Sequence, residues 1–489
     1  MQSVRLLIVC CLVAAGAVAS AAEPLRVGVA TADITPAGGY PMSGYYHERL
    51  ADGLIDPLLA KALVLRQGDT AAALVVCDLI VIATDLTVEV RKRVAERVGI
   101  PADHVMLAAT HTHTGPDYTK ELFALVSGRP QPGGGTREPY VPGLIDAIVE
   151  AVERADAAAA PVRVAAGNVL QTIPVSFNRR FLMKDGSVRT WMNLANPDVL
   201  HAAGPIDPEI GVVRFDDAAT AVPRAVFESF ALHLDTVGGT RWSADYPFFI
   251  QRAISASLGE GVVSIFGNGC CGNINHVDPA GTERATTEFI GTALGDTISA
   301  ALPDLPVVAA PTLQVRTATV RVPLLDATPD QVAAARDLLR RVGSGEKVEF
   351  LDHVDAYRRL VIHNLRHEVD PDEALASSGW GLTRSLAACG ESMPLGVQVF
   401  TVGREVAIVA FPGEAFVEFA LAIKNASPFR TTLVVELANH GETIYVPTRT
   451  AAVGGGYETI NTTLAPGAGE MLAEAVVRLL IDAARTAGE

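Results

Sequence analysis

The stretch that decides the fold runs from Val105 to Asp117 and reads VMLAATHTHTGPD. Val105, Met106, Leu107, Ala108 and Ala109 form an apolar run of strand character that empties into two histidines, His111 and His113, ahead of a Gly-Pro breaker at Gly115 and Pro116. If the extended backbone persists through Thr112, both imidazoles project from the same side of the strand end. Their backbones then stand about 7 Å apart, from a rise of ~3.3 Å per residue. Open α/β folds keep their active sites at such strand ends, and imidazoles there are candidate metal ligands or acid–base groups. A pair of surface-loop histidines is the alternative this segment leaves open.

Around this stretch, short β-type runs alternate with helical patterns, which implies a layered α/β domain. Strands are expected near Val27 to Thr31, Ala60 to Arg66 and Ala71 to Leu79, with a helix from about Thr84 to Val98 in which Leu86, Val90 and Val94 share a face. The Gly/Pro-rich run Gly128 to Val141 reads as a rim or lid beside the histidine pair, because a helical pattern (Leu144, Ile145, Ile148, Val152) resumes at once. Further on, Gly211 to Phe215 and Ala225 to Leu232 read as a hairpin ending in His233. Gly261 to Phe266 ends in the turn GNGCCGNINH. Gly396 to Val402 and Glu405 to Phe411 form another hairpin, which leads to FPGEAF with Glu414 at an expected helix start. Thr431 to Leu437 delivers Asn439, His440 and Tyr445. The unusual polar residues therefore collect at strand ends.

A helical insertion is expected at about 325 to 390. It opens at TPDQ, where Thr328 caps the helix and Pro329 takes its first position. A second helix, about Asp352 to Glu368, holds His353, His363 and His367. The last two are spaced like ligands on one face, but no H-E-x-x-H pattern accompanies them, so a solvated basic face is the default. An amphipathic helix from about Glu470 to Arg485 closes the chain.

With 489 residues and 49% hydrophobic content the chain has ample material for a large core. Its net charge is −16 and Lys and Arg are scattered, which argues against nucleic acid or an anionic membrane as a dedicated partner. Residues 1–22 read as a signal peptide: Arg5 precedes the apolar run Leu6 to Val18, and Ala19, Ser20, Ala21 and Ala22 offer a cleavage site. Export to a periplasmic or extracellular setting follows, with no transmembrane anchor after cleavage, and leaves 23–489 as the mature chain. Cys77, Cys270, Cys271 and Cys389 remain, too few for a disulfide scaffold and spaced for no Cys-type zinc site. The vicinal pair Cys270 and Cys271 is the unusual one.

No P-loop, Rossmann fingerprint or G-x-S-x-G elbow is present. By elimination, the chain's own chemistry is a metal site drawn from His111, His113, His233 and Glu414, a donor set suited to Zn²⁺.

The motifs ADITP (Ala32 to Pro36), PMSGY (Pro41 to Tyr45), THTHTGP, FNRR (Phe177 to Arg180), DPEIGVVRF (Asp207 to Phe215), LH at His233, SADYP (Ser243 to Pro247), FPGE, YVPT and GGYE occur in one order over nearly the whole mature chain. In this the sequence resembles the neutral/alkaline, non-lysosomal ceramidase family, as a divergent member of its N-terminal catalytic type. The resemblance implies one hydrolase domain over 23–489 with an α/β fold, a layered αβα sandwich around a mixed β-sheet carrying the helical insertion; in departure from typical members, no additional C-terminal domain is expected after the stretch that begins at Glu470. It implies one Zn²⁺ per chain on His111, His233, Glu414 and Tyr445, and hydrolysis of the N-acyl amide of a ceramide-like lipid. It further implies that His113 and Arg179 contact substrate and act with Tyr445 in catalysis. Asn275 stands where the family has a serine, so it could donate to an oxyanion but not attack. A zinc hydrolase of another amide or ester, or a non-catalytic lipid- or glycan-binding protein on the same fold, are the alternatives.

Overall fold

The computed structural model describes residues 23–130, 138–281, 283–377 and 381–486. The signal-peptide reading lies outside the described residues, as do residues 131–137 of the loop read as a rim.

The main sheet has eight strands in the order Val263–Asn268, Pro223–Phe230, Glu209–Asp217, Ala160–Leu170, Arg26–Asp33, Leu59–Gln67, Thr70–Cys77 and Val105–Ala109. Each edge strand pairs parallel with its neighbour, and the interior pairs are antiparallel, so the sheet is mixed as expected. Period-2 alternation sorts its side chains. Ala60, Ala62, Val64, Ala73, Val75, Leu107 and Ala109 face one way, against Leu86, Val90 and Val94 of the helix Thr84–Val98 and Leu144, Ile148 and Val152 of the helix Val141–Ala157. Leu63, Leu65, Leu74, Val76, Met106, Val213 and Phe227 face the other way.

What they meet is a second sheet, of order Leu313–Pro323, Ser392–Val402, Val406–Ala410 and Thr431–Val435. Its inner residues Phe400, Ile408, Leu433 and Val435 share the buried cluster between the sheets, each burial contributing about 1.5–3 kcal/mol. Its outer residues Val397, Val409 and Val434 pack under the helices Val417–Ala426 and Ala468–Thr486. The α/β class stands, and the layers run helices, sheet, sheet, helices.

The main sheet coils until its two edge strands, Val105–Ala109 and Val263–Asn268, come into contact. Residues 436–439, just past the strand Thr431–Val435, seal the gap. The Glu436 N–H donates to Asn268 O at 2.9 Å on one side. On the other, Ala109 N–H donates to Leu437 O at 3.3 Å and Asn439 N–H to Leu107 O at 2.8 Å.

Between the strands Leu313–Pro323 and Ser392–Val402 of the small sheet the chain inserts the helices Pro329–Gly343, Phe350–Arg366 and Pro371–Ser377. Thr328 caps the first through a capping box with Gln331. The segment after them is tied to the main domain by Asp85, in the first turn of the helix Thr84–Val98. Its carboxylate accepts from Arg384 N–H and Ser385 N–H, both at 2.8 Å, and from the Thr383 hydroxyl at 3.2 Å. Asp85→Ala removes a buried charged acceptor and is expected to lower stability by about 2–3 kcal/mol, read as a shift of the urea midpoint with unchanged slope. An unchanged midpoint would show that this tie carries no weight.

Candidate metal centre

The strand Val105–Ala109 stops before the histidines. His111 adopts a left-handed backbone, φ 79°, so the extended continuation through Thr112 does not occur. The cause is capture from a neighbouring loop: His111 N–H donates to Leu79 O at 2.9 Å, and Nδ1 lies 2.7 Å from Ile80 O. A carbonyl can only accept, so Nδ1 carries the proton and Nε2 presents its lone pair to the interior. The turn brings the His111 and His113 rings to a centroid distance of 4.9 Å, nearly perpendicular.

His233 arrives from the far side of the sheet, following the strand next to the opposite edge. Its strand ends at Phe230, three residues short of it, and His113 N–H donates to Leu234 O at 3.0 Å, joining the two loops. The Nε2 atoms of His111 and His233 are 3.0 Å apart, and those of His111 and His113 are 3.4 Å apart. Among the described residues, His111, His113 and His233 form a group whose ligand atoms lie within 4.8 Å of one another, and it could hold a metal ion.

Glu414 comes from the second sheet. Gly413 takes φ 69°, where an added Cβ would sit 1.9 Å from the Thr443 hydroxyl oxygen. The turn places Glu414 in a two-residue bridge, not at the expected helix start. That bridge is parallel and sets Glu414 directly beside Tyr445, while the helix begins at Val417. Glu414 Oε2 lies 3.3 Å from His111 Nε2 and 3.8 Å from His233 Nε2, yet it has no hydrogen-bond partner of acceptable geometry.

This arrangement fits a divalent cation. Two imidazole lone pairs meet nose to nose beside an orphaned, buried carboxylate oxygen, which is costly without a positive charge among them. The titration behaviour points the same way. Burial opposes charge on His111, but the Glu414 carboxylate outweighs it and the pKa is raised. His113 is pushed down to about 4, by burial first and by His111 second, and burial followed by Arg179 pushes His233 down further.

Arg179 lies against the same cluster, with Nη1 3.4 Å from His233 Nε2 and Nη2 donating to the Tyr445 hydroxyl at 3.0 Å and to Gly272 O at 2.8 Å. Its buried charge is answered by Glu458, which also holds Arg180: Arg179 Nε donates to Oε1 at 2.8 Å and Arg180 Nη1 to Oε2 at 2.7 Å. Tyr445, paired with Glu414 in the two-residue bridge, is kept protonated by burial and by that carboxylate.

The structure thus brings His111, His113, His233, Glu414, Tyr445 and Arg179 together. The amide oxygen of Asn275 accepts from Val277 N–H at 3.2 Å, closing its own turn. His363 and His367 pair only with each other as rings, 5.0 Å apart. All four cysteines of the described residues are free thiols. Glu458, legible in sequence only within GGYE, was not assigned its part, and neither were Tyr46, Trp191 and Tyr457, because aromatic residues in loops carry no spacing signal.

Residues 25–241 match the family model described as neutral/alkaline non-lysosomal ceramidase, N-terminal. Over that stretch the chain is similar to this family. A neutral ceramidase of Pseudomonas aeruginosa is 30% identical over 224 residues, which are 44% of this chain and 31% of that protein. A neutral ceramidase of Mycobacterium tuberculosis is 29% identical over 226 residues, 43% of this chain and 32% of its own. The chain therefore matches about a third of the length of these curated relatives. The crystal structure of the Pseudomonas aeruginosa neutral ceramidase aligns at TM-score 0.67 and 21% identity over 95% of this chain and 75% of its own. A structure described as a ceramidase complexed with C2 aligns at TM-score 0.67 and 20% identity, over 95% and 76%. At such identity the likeness establishes a shared fold. The family match contains His111, His113, Arg179 and His233, whereas Glu414, Tyr445 and Glu458 join them through the geometry.

Glu458→Ala would leave two buried guanidinium groups without their carboxylate and is expected to destabilise the protein by about 3–5 kcal/mol. Glu458→Gln, which keeps the shape and one acceptor oxygen but removes the charge, should lose nearly as much; chemical denaturation of both variants checks this, and a Gln variant as stable as wild type would refute the charge argument.

Proposed function

We propose that this protein is an exported zinc-dependent hydrolase that cleaves the N-acyl amide bond of a ceramide-like lipid, with one Zn²⁺ per chain and no nucleic-acid partner. The observation that carries the reading is the convergence of His111, His113 and His233 on the orphaned Oε2 of Glu414, with the cationic Arg179 alongside. The family match over residues 25–241 supports the substrate class.

The geometry offers three or four ligands: His111, His233 and Glu414 with either Tyr445, as the resemblance has it, or His113. A zinc ion there supplies Lewis acidity that polarises a scissile carbonyl and acidifies a water. The remaining work falls to the chain's own groups. Arg179 is permanently charged and pre-held by Glu458 and Gly272, so it stabilises negative charge growing on an amide oxygen without reorganising. The Tyr445 hydroxyl, protonated, is a second donor beside it. His113 is neutral at pH 7, so a free ring nitrogen can take a proton from the attacking water and return it to the leaving amine.

The approach to this centre is aromatic. Tyr445 touches Tyr457 at 5.5 Å between ring centroids. Tyr457 meets Trp191 at 4.9 Å and Phe350 at 5.7 Å, and Tyr46 closes on Phe350 at 5.6 Å. Trp191 and Phe350 are 51% and 43% exposed. A chain of touching aromatic rings thus links the polar centre to the surface, an apolar face suited to an amide carrying long hydrocarbon chains. Asn275, where the resemblance expects a serine, favours a second reading in which the amide or ester cleaved is a different one.

Purified protein is expected to hold one zinc per chain and to lose hydrolysis to a chelator, and His111→Ala should abolish both. Full activity of metal-free protein would overturn the zinc reading, and preference for simple N-acyl or ester substrates over ceramide would overturn the substrate. Arg179→Lys is expected to lower kcat about 100-fold with little change in KM. Trp191→Ala should instead raise KM about tenfold for long-chain substrates, from roughly 1.4 kcal/mol of lost contact. Steady-state kinetics across acyl lengths separates the two effects, and a chain-length-independent loss in Trp191→Ala would refute the aromatic path.

A further inference from the structure

The vicinal cysteines and a fully buried glutamate, Glu436, are left unused by the proposed mechanism, and they lie behind the metal centre. His233 Nδ1 is 3.4 Å from Cys271 Sγ and 3.4 Å from Cys271 O. The Cys271 thiol in turn donates to Glu436 Oε1 at 3.0 Å, and the Asn268 side-chain amide donates to the same sulfur at 3.4 Å. The other Glu436 oxygen, Oε2, accepts from the N–H of Ala415, the residue after Glu414, at 2.7 Å. The Glu436 backbone N–H is bonded to Asn268 O. One carboxylate therefore reaches two arms of the centre: His233 through the thiol, and Glu414 through its neighbour's peptide.

We propose that Glu436, acting through Cys271, is a positioning residue that fixes the ring of His233 and the peptide of Glu414 so that both present their donor atoms to one metal ion. The physical reason is tautomer and aim. A sulfur or carbonyl acceptor at Nδ1 keeps the proton there and leaves the Nε2 lone pair for the cation. The thiol is a weak acceptor by itself and turns its lone pairs toward His233 only if its own proton is taken up elsewhere, which Glu436 Oε1 does. Cys271 is thus a relay of orientation and undergoes no chemistry. Its partner in sequence, Cys270, belongs to the apolar cluster under the small sheet, so the vicinal pair divides between packing and positioning.

This inference rests on the metal reading above, and its test distinguishes the two. Zinc affinity of the full chain is measured by competition with a chromophoric chelator for wild type, Glu436→Leu, Cys271→Ala and Cys271→Ser, alongside thermal unfolding of each metal-free protein. Glu436→Leu and Cys271→Ala are expected to weaken zinc binding about 10- to 100-fold, the usual effect of losing an outer partner of a metal-bound histidine. Cys271→Ser, which keeps an acceptor for His233 and a donor for Glu436, should recover to within about threefold of wild type. A merely structural role would lower the unfolding temperature of the metal-free variants and leave the zinc affinity of the folded protein unchanged. That outcome, or equal affinities for Cys271→Ala and Cys271→Ser, overturns the positioning role. Should Glu436→Leu fail to fold, the two Cys271 variants decide. Wild-type protein that takes up no zinc overturns the metal reading and this inference with it.

Discussion

His111 follows one edge strand of the eight-stranded sheet and His233 follows Pro223–Phe230, the strand next to the opposite edge, and everything at the centre depends on those two sides being brought together. A flat sheet would hold them some 30 Å apart, from six inter-strand steps of about 4.8 Å. Right-handed twist coils the sheet, but twist by itself leaves both edges unpaired. Residues 436–439 supply the missing partner, bonding Asn268 on one side and Leu107 and Ala109 on the other. This closure needs two left-handed residues, Leu437 at φ 52° and Asn439 at φ 67°. Asn accepts that conformation through its side chain, and here its amide does so, accepting from Leu107 N–H at 3.1 Å and from Arg91 at 3.0 Å. Leucine has no such compensation, so the strain at Leu437, of order 1–2 kcal/mol, is carried by the surrounding packing.

The same closure explains why so much charge can be buried in one place. Arg179, Arg180, Glu414 and Glu458 are all shielded from water, and each would be unaffordable unpaired. Glu458 divides its two oxygens between the two arginines, and the Thr190 hydroxyl completes the shell at 2.9 Å. Arg179 thereby reaches the histidines already neutralised on its far side and oriented on its near side. Only Glu414 Oε2 is left unanswered, which is why the centre reads as a site for a cation and not as a closed ion-pair network.

The strand-and-helix alternation was readable because period-2 and period-3.6 patterns follow from burial. Leu86, Val90 and Val94 lie where their spacing put them, and the apolar run from Val105 ends at Ala109. The layering was less readable. A strand buried on both faces looks the same whether helices or a second sheet cover it, so Phe400, Ile408 and Leu433 gave no sign of the sheet they face. At the centre, residue types and strand-end positions pointed to His111, His113, His233 and Glu414 as candidates, but the way His111 and His113 meet was not foreseeable. Alternation sets their backbones apart, whereas a left-handed turn held by Leu79 and Ile80 folds the rings together. Long-range partners such as Glu458 and Glu436 were invisible for a related reason: a buried carboxylate announces itself only through what it touches.

The groups of the candidate metal centre and the aromatic groups beside it come from different parts of the chain, and this bears on how specificity can vary. The polar centre is built from strand ends of two sheets, whose register and closure tolerate little change. The mouth is walled in part by Phe350, which opens the helix Phe350–Arg366 of the insertion, and by Tyr357 of the same helix, 6.1 Å from Tyr46. That helix packs on its neighbour through Val332, Ala335, Ala356 and Leu360, a small cluster separate from those of the sheets. Substitutions at its mouth-facing end can therefore reshape the path to the centre without disturbing the closure that holds His111 against His233. A divergent substrate would need no change in the chemistry, only in the wall.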